Sequence, residues 1–273
     1  MSDTGAGVDL ERLPDGIAVL RFNRPQNLNA LTDDTVAEIG RLLDVVKADR
    51  TIRVLVLTGE GRAFCAGFDL GLADDAPDSA ELGEPTAWML RQEAFAGLIF
   101  KLRGLRQPII AAVNGTANGA GLCLALAAEI RIAATTAKFN AAFVRIGLSG
   151  CDMGSGWLLP RVVGLSCAFE ILLTGRMVEA VEAYRIGLVS EMLEPEALLP
   201  RAFEIARAIA ANDPFGVWMT KRGVWANVET GSLQAAMELD NRTQILARTT
   251  GSLSKAARAF RERRKLRPEP TAQ

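Results

Sequence analysis

Two glycine-bearing segments hold the residues whose types and spacing could do chemistry. One is NGTANGAGLC at residues 114–123, which runs straight into the apolar LALAAEIRIA; the other is TGEGRAFCAGFDL at residues 58–70, which includes the end of the branched run IRVLVLTG. A glycine turn opening a helix can cradle a phosphate, let helix and strand pack closely, or aim backbone N–H groups at a reacting atom. A phosphate loop needs Gly-Lys-Ser/Thr after its glycines and a dinucleotide fingerprint needs GxGxxG, and NGTANGAG matches neither. Gly119 and Gly121 therefore serve packing, presentation of N–H donors, or both. AGFDL repeats the device, because a backbone N–H beside Gly67 can project into a cleft.

The 273 residues contain no histidine, which excludes histidine-based nucleophile systems, histidine general bases and histidine-ligated metals. An acid or base must be a carboxylate, thiol, lysine, tyrosine or water. Asp152, in the turn GLSGCDMGSGWLLP, is a carboxylate flanked by glycine and cysteine, and it also stands where aspartate commonly caps a helix. Asp69 reads as the cap of a turn after AGF, and Glu93 as a glutamate on a helix, where solvation is the ordinary state. Cys123 lies in apolar LCLAL, a setting that raises a thiol pKa and makes a core cysteine.

The elements that must carry these residues alternate. IAVLRFN (17–23) and IRVLVLTG (52–59) read as buried strands, with the helix of TDDTVAEIGRLLDVVKAD between them, Thr32 at its N-cap and Asp33 and Asp34 in its first turn. A polar loop at 71–86 leads to a helix at 88–105, a strand at 108–115, a helix at 120–128 and a strand at 129–134. Past Pro195 the pattern is helical, near 196–211, 214–228 and 232–248, before a basic helix. With 31 basic and 32 acidic residues and 49% hydrophobic composition, the chain reads as a soluble globular protein with a sizeable core. No apolar run is long enough to span a bilayer, and MSDTGAGVDLER lacks the features of a signal peptide, so a cytoplasmic location is expected. The four cysteines have no zinc-ligand spacing and are expected to be thiols. The tail KAARAFRERRKLRP (255–268) is basic but has no aromatic platform for nucleic acid, so nucleic acid is not an expected partner.

At these residues the chain resembles the enoyl-CoA hydratase/isomerase (crotonase) family. NRPQNLNALT (23–32), AFCAGFDL, VNGTANGAG and LTGRMVEAVEAYRIGLVSEML (173–193) match the family's motifs in order, over roughly residues 8 to 265. The resemblance implies an α/β fold: a crotonase-like spiral of ββα units over residues 1–195, then a helical region at 196–273 that helps form trimers or hexamers. It implies an acyl-CoA thioester as partner, with coenzyme A entering only as part of the substrate and no other cofactor or metal. The thioester carbonyl would sit between the N–H groups of Phe68 and Ala120. Leu28, Ala30, Ala66, Asp69, Leu70 and Gly119 fall at positions of the substrate site, and Arg24 at a position that reaches a coenzyme A phosphate. The basic tail lies near that nucleotide in the family.

The departures from the family bear on the reaction. Two glutamates that hold water in the family's hydratases are replaced by Cys123 and Phe143, so two-glutamate hydration does not carry over. Allowing one inserted residue, Asp152 matches an aspartate that moves protons on the acyl chain in dienoyl-CoA isomerase-like members. The expectation is an acyl-CoA enzyme that forms a thioester enolate, with Asp152 transferring the proton. The alternatives are a member that binds acyl-CoA without turning it over, and a structural or RNA-associated oligomer.

Overall fold

Short branched runs flanked by glycine and proline form the strands, and the computed structural model describes residues 6–74 and 76–265. The order is β1 (Val8–Arg12), β2 (Ile17–Phe22), α1 (Asp33–Ala48), β3 (Val54–Gly59), β4 (Ala63–Cys65), α2 (Ser79–Leu82), α3 (Glu84–Arg103), β5 (Ile109–Val113), β6 (Thr116–Asn118), α4 (Ala120–Leu126), β7 (Ile130–Ala134) and β8 (Lys138–Asn140). Then come α5 (Ser155–Val163), α6 (Leu165–Thr174), β9 (Met177–Glu179), α7 (Ala180–Arg185), β10 (Glu191–Leu193) and α8 (Pro195–Ala210). Residues up to Ala210 form one compact unit. The second begins at Ala211 and holds α9 (Pro214–Glu229), α10 (Leu233–Arg248) and α11 (Ser252–Lys265).

The chain winds as a spiral. One sheet has the order β1-β2-β3-β5-β7-β10 and the other β4-β6-β8-β9. Each of β3-β4, β5-β6 and β7-β8 therefore places one strand in each sheet, and α3 and α4 close the first two units. The first sheet is parallel except at β1, and the second except at β9. Alternate residues Ile17, Val19, Val54, Val56, Ile110, Ala112, Ile132 and Ala134 share a core with Leu198, Ala202 and Ala206 of α8. The intervening residues Ala18, Leu20, Leu55, Leu57, Ile109 and Ala111 are buried as well, so these strands read as continuous apolar runs.

Local signals set the ends of several elements. Thr32 caps α1, accepting from the Thr35 N–H at 3.2 Å, with Asp33 and Asp34 in the first turn complementing the helix dipole. Helix α8, read from sequence with the helical region, packs on the large sheet. It is tied to β10 by the Arg201–Glu191 pair at 2.8 Å and to the turn after β1 by the Arg207–Asp15 pair at 2.6 Å. Among the described residues no helix is long and apolar enough to cross a membrane.

Candidate active site

Strands β4 and β6 are parallel neighbours in which Cys65 pairs with Ala117. Phe68 and Ala120 each stand three residues beyond that pair, so the two loops leave the sheet in step. The loop after β4 is held on its other side by residues 28–31. The Ala66 N–H donates to Leu28 at 3.0 Å, the Leu31 N–H to Gly67 at 2.7 Å and the Asp69 N–H to Leu31 at 3.0 Å. Between them the Phe68 N–H donates to no acceptor among the described residues. The same holds for the Ala120 N–H at the first position of α4, where helix geometry leaves donors unpaired.

Glycine makes the approach of the two loops possible. Gly67 has φ +92°, and a Cβ there would lie 2.8 Å from the Asn118 carbonyl oxygen and 3.3 Å from the Ala120 nitrogen. A Cβ on Gly121 would lie 2.1 Å from the Cys65 carbonyl oxygen, inside any allowed contact. The glycines thus do both things their sequence permits: they pack α4 against β4, and they bring two N–H groups to neighbouring loops. Gly119, also at positive φ, anchors its own loop by donating to Asn140 at 2.8 Å.

The turn beneath the donor loop is strained and pinned. Leu28 and Asn29 both take left-handed backbone conformations, at φ 53° and 58°. Asn29, buried, donates to the carbonyls of Glu60, Ala63 and Phe64 at 3.0, 2.8 and 3.3 Å, and its Oδ1 accepts from the Arg24 N–H at 2.8 Å. Arg24 reaches the Ala30 carbonyl at 2.6 Å and Asp69 at 3.4 Å, so its guanidinium braces the two loops. Asp69 accepts from the Gly71 N–H at 3.2 Å and caps the following turn. Ala30 is buried, Ala66 half-buried and Leu70 exposed at the rim.

Asp152 does not cap α5. That helix has Gly154 at its N-cap, and the Asp152 carboxylate instead accepts from Gln92 Nε2 on α3. The reason lies in the turn: Met153 and Gly154 are both left-handed, and Ser155 Oγ accepts from the Asp152 N–H at 3.0 Å while donating to Gly150 at 2.6 Å. The carboxylate is thereby turned toward α3. Cys123, one turn of α4 beyond Ala120, places Sγ 3.5 Å from the Asp152 carbonyl oxygen, so α4 joins the donor and the carboxylate turn. Burial, with smaller contributions from Asp152 and Cys65, pushes the Cys123 thiol far up; burial takes Cys65 to about 12. Neither is a thiolate near neutral pH. Phe143 is buried, its ring 3.5 Å from where a Gly119 Cβ would lie.

Three contacts escaped the sequence reading: the anchor at Asn29, the Gln92 donor, and Arg91. The Arg91 guanidinium lies 4.7 Å from the Phe68 ring centroid and 5.2 Å from that of Trp88, paired with Asp33 at 2.6 and 2.8 Å. The Phe68 ring also meets Phe95 edge-on at 5.6 Å. Gln92 is exposed on its helix and carries no sequence signal for such a role, while for Asn29 and Arg91 only their burial in the fold shows it. Glu93 is exposed and lines a groove between α1 and α3 with Asp33 and Lys101. Residues 266–268 of the basic tail lie outside the described residues.

The whole-chain comparisons agree with this geometry. The enoyl-CoA hydratase/isomerase family model matches residues 12–269. A Mycobacterium tuberculosis protein named probable enoyl-CoA hydratase is 42% identical over 249 residues, covering 91% of this chain and 87% of its own. The Escherichia coli 1,2-epoxyphenylacetyl-CoA isomerase is 36% identical over 255 residues, 93% of this chain and 95% of its own. The crystal structure of a probable enoyl-CoA hydratase/isomerase from Mycobacterium abscessus superposes with a TM-score of 0.88 at 37% identity, covering 94% of this chain and 96% of that one. The paired donor loops, the two-sheet spiral and these matches lead to one conclusion: the chain belongs to the enoyl-CoA hydratase/isomerase family.

Proposed function

We propose that the protein is an isomerase-type acyl-CoA enzyme that holds the thioester oxygen between the N–H groups of Phe68 and Ala120 and moves a proton with Asp152. The observation that carries this reading is the pair of N–H groups on adjacent loops that no described residue accepts from. Such donors are fixed before reaction and meet the charge that gathers on oxygen, and losing one typically costs about 3 kcal/mol in a barrier. With a 3-enoyl thioester, Asp152 takes a proton from C2, the electron pair spreads onto the thioester oxygen as a dienolate, and the same carboxyl returns the proton at C4. The product is the conjugated 2-enoyl thioester, and no other reactant is consumed.

Cys123 and Phe143 support isomerisation over hydration, because neither side chain can align or deprotonate water. Asp152→Asn is the test. It is expected to abolish double-bond migration, followed by deuterium incorporation from D2O, while leaving acyl-CoA affinity nearly unchanged, since the thioester is held by backbone donors. Equal exchange in wild type and variant would assign Asp152 to structure and put the acyl-CoA-binding reading first.

A further inference from the structure

Helix α3 meets both halves of the proposed site with consecutive residues. Arg91, its side chain 4% exposed, lies against the Phe68 ring, while Gln92 donates to the Asp152 carboxylate. Arg91 is itself fixed from three directions. Asp33, in the first turn of α1, holds it with two hydrogen bonds, the Leu72 carbonyl accepts from it at 2.9 Å, and Trp88 lies 5.2 Å from it. A planar guanidinium can fork onto a carboxylate and lie over an aromatic face at once, whereas an ammonium cannot. The Phe68 ring is therefore set between Arg91 and Phe95, and the peptide that carries its N–H is set with it.

Gln92 plays the matching part for the carboxylate. The Asp152 backbone is fastened within its own turn by Ser155, but that leaves the side-chain rotamer free, and among the described residues the side-chain donor that reaches the carboxylate comes from α3. An amide donor occupies one oxygen and so decides which way the other oxygen points.

We infer that Arg91 and Gln92 are positioning residues, Arg91 fixing the oxyanion donor Phe68 and Gln92 aiming Asp152, so that α3 sets the distance between donor and proton carrier. The inference rests on the enolate reading above, and two measurements separate its failure from that reading's failure. The first is the near-ultraviolet band of acetoacetyl-CoA, which appears when the bound molecule is drawn into its enolate by the oxyanion donors. The second is deuterium incorporation into a 3-enoyl-CoA.

Gln92→Met keeps length and helix propensity but removes the donor. It is expected to leave the enolate band and acyl-CoA affinity as in wild type and to slow deuterium incorporation about tenfold, and Gln92→Glu, which sets like charges together, to slow it further. A purely structural role would predict no such order, since glutamate suits an exposed helix position well. Arg91→Lys is expected to weaken both the band and the exchange. Should that variant fail to fold by circular dichroism, Phe68→Leu, which removes the ring and keeps the N–H, is expected to show the same loss of band. Wild-type exchange in Gln92→Met, or an undiminished band in folded Arg91→Lys or in Phe68→Leu, overturns the inference alone. A wild-type protein that binds acetoacetyl-CoA without the band overturns the oxyanion reading and the inference with it.

Discussion

Asn29 supports the donor loop with a single side chain that replaces four backbone partnerships. Its left-handed backbone turns the chain, and its amide donates to three carbonyls between Glu60 and Phe64, in the connection to β4 and in β4 itself. Asn29→Ala would take the amide donor from the Glu60 and Phe64 carbonyls and the acceptor from the Arg24 N–H, while Ala63 keeps Asn114 at 3.2 Å; an unsatisfied buried group costs about 1–3 kcal/mol. The expected outcome is a fall of about 2–4 kcal/mol in urea-unfolding stability, given the number of groups affected, with a larger fractional loss of acyl-CoA turnover than of secondary structure. The donor loops themselves were legible as motifs because glycine at a close approach is a strict steric demand. Asn29 was not, since an asparagine in a turn is ordinary and only burial shows what its amide does. Gln92 was hidden for the opposite reason: it looks like solvent-facing helix, and its partner lies 60 residues away in sequence.

At the scale of elements, the long strands and helices were readable from period and caps, α1 with its Thr32 cap most clearly. The second sheet was not, because β4, β6, β8 and β9 are three residues each, too short for a period of two to register. Yet that sheet sets the spacing of the donor loops. The turn at Asp152 misled the capping alternative because two consecutive left-handed residues intervene before α5. Ion pairs fasten the last elements of the first unit. Hydrogen bonding from Arg201 holds Glu191 below the ordinary carboxylate range, and hydrogen bonding from Arg176 does the same for Glu182. A carboxylate depressed in the folded state adds stability above its unfolded value and loses it as pH falls through the folded value. Stability is therefore expected to decline on acidification below about pH 5. In Glu191→Gln the decline measured by urea midpoint across that range should be shallower than in wild type, and the two proteins should converge once the pH is below the folded value of Glu191.

For the molecule as a whole, the spiral fixes the loops that carry Phe68 and Ala120, while Cys123 and Phe143 supply no carboxylate beside them. Crotonyl-CoA hydration is expected to run at least about a hundredfold slower than in a two-glutamate enzyme, since each general acid–base role contributes about 10² to 10⁴. Loss of the crotonyl absorbance on hydration checks this, and a rate equal to a two-glutamate enzyme would contradict the assignment. The two donor N–H groups also have a consequence for amide exchange. Leu31 and Asp69 give their hydrogens to partners at 2.7 and 3.0 Å, while Phe68, inside the same segment, gives its hydrogen to none of the described residues. In a native-state hydrogen–deuterium experiment Phe68 and Ala120 should exchange without waiting for the fold to open, far ahead of their neighbours. An acyl-CoA seated between them should slow both together, and an acyl-CoA that slowed neither would be bound elsewhere. Those two hydrogens would then act as timers, one on each loop, running while the space between them is open and stopping once a ligand's oxygen fills it.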